Sequence, residues 1–158
     1  MKYIKTYESN NIDALNIELI HYSEKIASFN KMRELISKGA DVNYQRGNRT
    51  PLMNTVIKGF YSGTKLLIDK GANVNAISNK TNYSVFDFAV SQGSYKFETN
   101  KNFKKIIDLL INSGADLNIG VDKLDDAKYD DVKEYISNKF PEQYESYLLR
   151  KQAVKYNI

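Results

Sequence analysis

One phrase occurs three times along this chain of 158 residues: "LISKGADVN" at 35–43, "LIDKGANVN" at 67–75 and "LINSGADLN" at 110–118. Each copy holds a pair of apolar residues, a Gly, a small residue, an Asp or Asn and a final Asn in fixed places. Recurrence of this kind specifies a repeated structural unit rather than one active site, because units too small to bury their own apolar faces must stack on their neighbours. Each phrase also reads as a helix ending. Leu35 and Ile36, Leu67 and Ile68, and Leu110 and Ile111 fall in a last turn. Gly39, Gly71 or Gly114 follows where a left-handed residue is wanted. Lys38 and Lys70 place positive charge at the negative end of the helix dipole.

The sequence after the first phrase starts a new helix. In "RTPLMNTVIKGF", Thr50 caps it and Pro51 takes its first position, where a missing N–H costs nothing. That helix ends near Gly59, and "FYSGTKLLIDKG" supplies a second one running into Gly71. Each unit is therefore turn, helix, tight link, helix, with a polar extended finger between units.

These residues resemble ankyrin repeats. The family's T-P-L-H-x-A-A-x-x-G is matched by "TPLMNTVIKG", and its L-L-x-x-G-A-x-V-N by "LLIDKGANVN". An earlier copy, "LIHYSEKIASFNKMRELISKGADVN", puts His21 at the family's histidine position and Ala27 in place of the linking Gly. The third, "SVFDFAVSQG" followed by "KKIIDLLINSGADLN", has Ser84, Val85 and Asp87 where Thr, Pro and His are usual. The resemblance spans residues 10 to 120. It implies an all-α ankyrin-repeat solenoid of antiparallel helix pairs with short, β-hairpin-like finger turns and a C-terminal helical cap. The expected organisation is a single domain over 1–158, with repeats at about 10–43, 44–75 and 76–118, a degenerate one at 119–140 and a capping helix at 141–156. It also implies that His21 makes structural hydrogen bonds between units.

The period is uneven. Gly39 and Gly71 stand 32 residues apart, and Gly71 and Gly114 stand 43 apart, against about 33 in the family. The shortfall trims the first finger around Arg46 to Asn48. The excess lies partly in the second finger, "ISNKTNYS", and mostly in 94–102, which reads as a surface loop or an extended helix end. Past Asn118, Tyr129, Val132, Ile136 and Phe140 are spaced for one helix with an acidic start, which Pro141 breaks. A last helix follows, whose Tyr144, Tyr147, Leu148 and Lys151 to Val154 form a stripe for the preceding unit, with a polar outer face expected of a terminal cap. At the other end "NNIDALNIELIHYSEKI" forms the opening helix.

Composition excludes most chemistry. No cysteine is present, and His21 is the single histidine, so thiolate nucleophiles and multi-Cys or multi-His metal sites have no ligands. "GFYSGTKL" at 59–66 imitates a phosphate-binding loop but has the wrong glycine spacing and no Lys directly after the second Gly. The acidic group Asp122, Asp125, Asp126, Asp130 and Asp131 lacks the calcium-loop pattern and suits a helix N-terminus. No enzyme activity and no cofactor are expected. The chain carries no apolar run of membrane-spanning length and no signal-like start, and reads as cytoplasmic.

The expected function is a non-catalytic protein–protein interaction module. The family's partner-contacting positions map onto Tyr44, Gln45, Arg46, Asn48 and Arg49 of the first finger and Ile77, Asn79, Lys80, Asn82 and Tyr83 of the second. Ile57, Lys58, Ser91 and Gln92 fall on the adjoining helix ends. Neither finger contains Asp or Glu, so a protein with an acidic surface is the expected partner, in the setting of a regulatory adaptor, a host-directed effector or a toxin-neutralising immunity protein. The net charge of +4 makes nucleic acid the alternative. No membrane and no small-molecule substrate are expected.

Overall fold

The computed structural model describes residues 2–93, 101–119, 124 and 129–156. The helices run α1 (Lys2–Ser23), α2 (Phe29–Ser37), α3 (Pro51–Ile57), α4 (Tyr61–Asp69), α5 (Val85–Gly93), α6 (Lys101–Asn112), α7 (Asp130–Lys139) and α8 (Pro141–Tyr156), with a 3-10 turn at Ile26–Ser28. Strand pairing among the described residues is confined to two isolated bridges, Arg46 with Arg49 and Ile77 with Ser84, one in each finger.

The repeated phrase terminates α2, α4 and α6 in the same way. Gly39, Gly71 and Gly114 have φ of +99°, +85° and +86°, the left-handed region that glycine enters without a Cβ penalty. The residue after each closes the turn: Ala40, Ala72 and Ala115 donate their N–H groups to the carbonyls of Leu35, Leu67 and Leu110 at 2.9–3.1 Å. Those three leucines are at most 1% exposed, so the residues that end each helix also anchor its core. At the start of α3, Met53 N–H donates to Thr50 Oγ1 at 3.3 Å, with Pro51 in the first turn. The departure at α5 has its own solution. Ser84 N–H donates to Asp87 Oδ2 at 2.8 Å, and Asp87 N–H donates to Ser84 Oγ at 3.0 Å, a reciprocal cap that Thr–Pro–Leu–His would not make.

Packing follows from the repeat. α3 lies between α1 and α5 in an inner row, α4 lies between α2 and α6 in an outer row, and the members of each pair pack on one another. Rows come close where Gly59, at φ +64°, meets the next unit: a Cβ there would sit 3.1 Å from the ring of Phe103. Phe103 is 2% exposed. α7 joins the outer row through Tyr135 and Lys139, both bonded to Asp108 of α6, and α8 packs on α7. Tyr129, Val132, Ile136 and Phe140 are all buried, as their spacing requires.

Three expectations need correction. α1 reaches back to Lys2 and stops at Ser23, so it is longer at its start and shorter at its end than the sequence pattern indicates. His21 makes no bond between units among the described residues: it is exposed and meets Lys25 Nζ one turn away at 2.7 Å. On α8 only Tyr147 is buried, with Tyr144, Lys151 and Ala153 half-buried, whereas Leu148 and Val154 are 42% and 84% exposed. With Leu149 at 58%, the cap presents a more apolar surface than a terminal unit needs. Lys101 and Asn102 begin α6, while residues 94–100 lie outside the described ones, as do Asp122, Asp125 and Asp126.

Candidate partner-binding face

A polar ladder sets the fingers in place. Within each phrase the Asp or Asn makes a tight turn: the N–H groups of Asn43, Asn75 and Asn118 donate to Asp41 Oδ1, Asn73 Oδ1 and Asp116 Oδ1 at 2.8–2.9 Å. The final Asn then reaches the next unit. Asn43 Nδ2 donates to the Gly71 carbonyl at 3.2 Å, and its Oδ1 accepts from Asn73 N–H at 2.7 Å. Asn75 repeats this with Gly114 and Asp116, at 3.1 and 2.9 Å. Below the first unit, Asn16 Oδ1 accepts from Asp41 N–H at 2.7 Å. The phrase recurs because the first two copies each hold the turn of the copy that follows. At the last rung Asn118 Nδ2 turns back onto Asp116 Oδ1, and Arg150 of α8 holds Asp116 Oδ2 at 3.0 Å. Partial burial alone would raise the Asp116 pKa, but hydrogen bonds from Asn118 and the charge of Arg150 outweigh it and hold the carboxyl below its usual value.

The fingers differ in build. The first is a two-residue reversal in which Arg46 N–H donates to the Arg49 carbonyl at 3.3 Å, with Gly47 at φ +64°. The second is wider, closed by Ser78 N–H on the Tyr83 carbonyl at 2.9 Å, with Asn82 at φ +55°. Gln45 Nε2 bridges them weakly to the Ile77 carbonyl at 3.5 Å.

Of the expected contact residues, Arg46, Arg49, Lys58, Ile77, Asn79, Lys80 and Asn82 are exposed. Tyr44, Gln45, Asn48, Ile57, Tyr83, Ser91 and Gln92 are half-buried. The fold brings Arg49 and Tyr83 together through a residue that sequence reading missed: the Arg49 guanidinium lies 5.8 Å from the ring centre of Phe88, and Tyr83 lies 5.3 Å from the same ring. Phe88 occupies the place that Asn54 holds in the second unit, directly after the His position of the motif, and that variable place is the signal that could have found it. Ile57, Lys58, Ser91 and Gln92 stand at the far ends of α3 and α5 from the fingers and extend the face rather than joining the cluster.

Charge is distributed unequally. On the outer helices four lysines pair with carboxylates, Lys31 and Lys38 with Glu34, Lys65 with Asp69 and Lys139 with Asp108, while Lys105 lies over the Tyr61 ring. The hydrogen bond from Lys38 lowers the Glu34 pKa, and the carboxylates raise those of Lys38, Lys65 and Lys139. Arg46, Arg49, Lys58 and Lys80 have no such partner among the described residues. Between the first finger, α1 and α3 lies a cleft of 270 Å³ lined by Ile20, Glu24, Arg46, Gly47, Asn48, Arg49 and Asn54. No group of His, Asp or Glu among the described residues is arranged to hold a metal, and none of the described helices is long and apolar enough to cross a membrane.

A family model for ankyrin repeats, in three copies, matches residues 19–121. Among characterised proteins, the chain is similar to the ankyrin repeat and KH domain-containing protein mask-1 of Caenorhabditis elegans, at 33% identity over 85 residues. The match takes in 54% of this chain and spans only 3% of that protein's length.

Proposed function

The chain belongs to the ankyrin-repeat family, and on that premise we propose that it is a non-catalytic module that binds an acidic protein along the face made by its two fingers and inner helices, in the cytoplasm. The observation that carries this is a contrast in charge pairing: Lys31, Lys38, Lys65 and Lys139 of the outer helices have carboxylate partners, and the finger-side cations Arg46, Arg49, Lys58 and Lys80 have none among the described residues. An unpaired cation on a rigid turn is open to a partner's carboxylate, and opposed potentials steer encounter and suppress wrong partners. Tyr44, Tyr83, Arg46 and Arg49 are the expected anchors, since Tyr and Arg are enriched among residues that dominate binding energy. Such a binding step would serve a regulatory adaptor, a host-directed effector or a toxin-neutralising immunity protein equally well. Affinity capture followed by mass spectrometry identifies the partner. With it in hand, the double change Arg46→Glu and Arg49→Glu should weaken binding tenfold or more, about 1.4 kcal/mol, with thermal stability unchanged. Unchanged affinity, with binding abolished instead by charge reversal at Asp130 and Asp131, places the contact on the C-terminal end and refutes the proposal.

A further inference from the structure

Resting on that reading, we propose that the cleft between the first finger, α1 and α3 is a receptor for one acidic side chain, an aspartate or glutamate, of the bound protein. Its volume of 270 Å³ falls below the roughly 300–1,000 Å³ of small-molecule sites and suits a single side chain. Arg46 and Arg49, both permanently charged, line the finger side of the cleft, and the planar fork of a guanidinium matches a carboxylate. Arg49 is already positioned by the Phe88 ring.

The floor of the cleft is rigid. Asn54 is 2% exposed and lines the cleft, and its Oδ1 accepts no hydrogen bond. Its amide is fixed in place, since Nδ2 donates to Ser23 Oγ at 3.0 Å and to the Ile20 carbonyl at 3.4 Å. Its Oδ1 is itself enclosed, so Asn54 forms a fixed floor to the cleft rather than a contact for the ligand. The opposite rim carries Glu24. Two guanidinia and one carboxylate leave a single surplus positive charge, which a carboxylate neutralises; a doubly charged phosphate would be repelled by Glu24.

A random dodecapeptide library displayed on phage, panned against the full chain at physiological salt, supplies the probe. Selected peptides are synthesised and titrated by fluorescence anisotropy. The recovered peptides should share an Asp or Glu whose change to Asn or Gln weakens binding tenfold or more. Arg46→Gln should do the same. Glu24→Gln, at an exposed position that bears no structural bond, should strengthen binding about two- to fivefold, the size of a surface charge pair. On peptide addition the side-chain amide resonance of Asn54 should shift, a readout that needs no substitution in the core. If peptides bind and Arg46→Gln weakens them, but Glu24→Gln has no effect and the Asn54 amide does not move, the cleft is not the receptor while the finger face still is. Tighter binding of a phosphoserine replacement overturns the choice of a monoanion. Failure to select any peptide that depends on Arg46 or Arg49 removes this inference and the proposed function together.

Discussion

The middle of the molecule and its C-terminal end are fastened by different physics. From Asp41 to Asp116 successive units are joined by asparagine side chains bonded to backbone groups, above a core in which one leucine position recurs fully buried. Beyond Asp116 the joints carry charge: Asp108 receives Tyr135 and Lys139, and Arg150 holds Asp116. Asn73 and Asp116 make the same turn, one neutral and one ionised. The negative charge therefore adds nothing to the turn itself; what it adds is a site for α8. A neutral joint works at any pH and salt concentration, whereas an ionic one works only while its partners stay charged and unscreened.

The comparison breaks most visibly in the core. Leu67→Ala or Leu110→Ala should destabilise the chain by about 2–5 kcal/mol in chemical denaturation, while Leu149→Ala on exposed α8 should stay within about 0.5 kcal/mol. Similar losses at all three would mean that α8 shares the core of the stack. Asn75→Ala comes next. It strips two hydrogen bonds between units and should cost about 1–2 kcal/mol, the same at low and high salt. A loss that shrinks with salt would show that the ladder is electrostatic after all.

The smallest effect belongs to the ionic joints. Asp108→Asn, or Lys139→Met, should cost about 0.2–1 kcal/mol, and less in high salt. Dependence on pH sharpens the contrast. The Asp116 carboxyl titrates lower in the folded chain than its usual value, so its contribution is complete above about pH 4 and is lost as pH falls through the lower, folded value. Lys139 titrates higher when folded, so its share is complete below about pH 10 and is lost as pH rises through the raised value. Hydrogen exchange should show α8 losing protection on acidification before α3 and α4 do. Simultaneous loss would make the two regions one cooperative unit.

The sequence made the middle legible because the same local rules act there three times, a glycine with positive φ and a leucine at a fixed offset, and because Thr50 before Pro51 marks one helix start outright. His21 misled because the motif assigns it a bond between units, whereas in the first unit it meets Lys25 one turn away. α8 misled because a helical stripe shows that a helix has an apolar side, yet gives no measure of how much of it is covered. The finger residues were legible as positions, and their charge as composition, but Arg49, Phe88 and Tyr83 meet only through the stacking of two units. The cleft was out of reach for a similar reason. It joins Glu24, Arg46 and Asn54 from three elements, and the orphaned oxygen of Asn54 follows from how its amide is pinned by Ser23 and Ile20.

The ladder also sets a timetable for synthesis. Asn43 finds its partner Asn73 30 positions further on, and Asn75 finds Asp116 after 41. At roughly 5–20 residues per second of translation, each joint becomes available about 2–8 seconds after the residue that makes it. The nascent chain thus offers the ribosome's surroundings one unit's worth of uncovered leucine surface at a time, with the longest wait before the third unit, where residues 94–100 lengthen the interval.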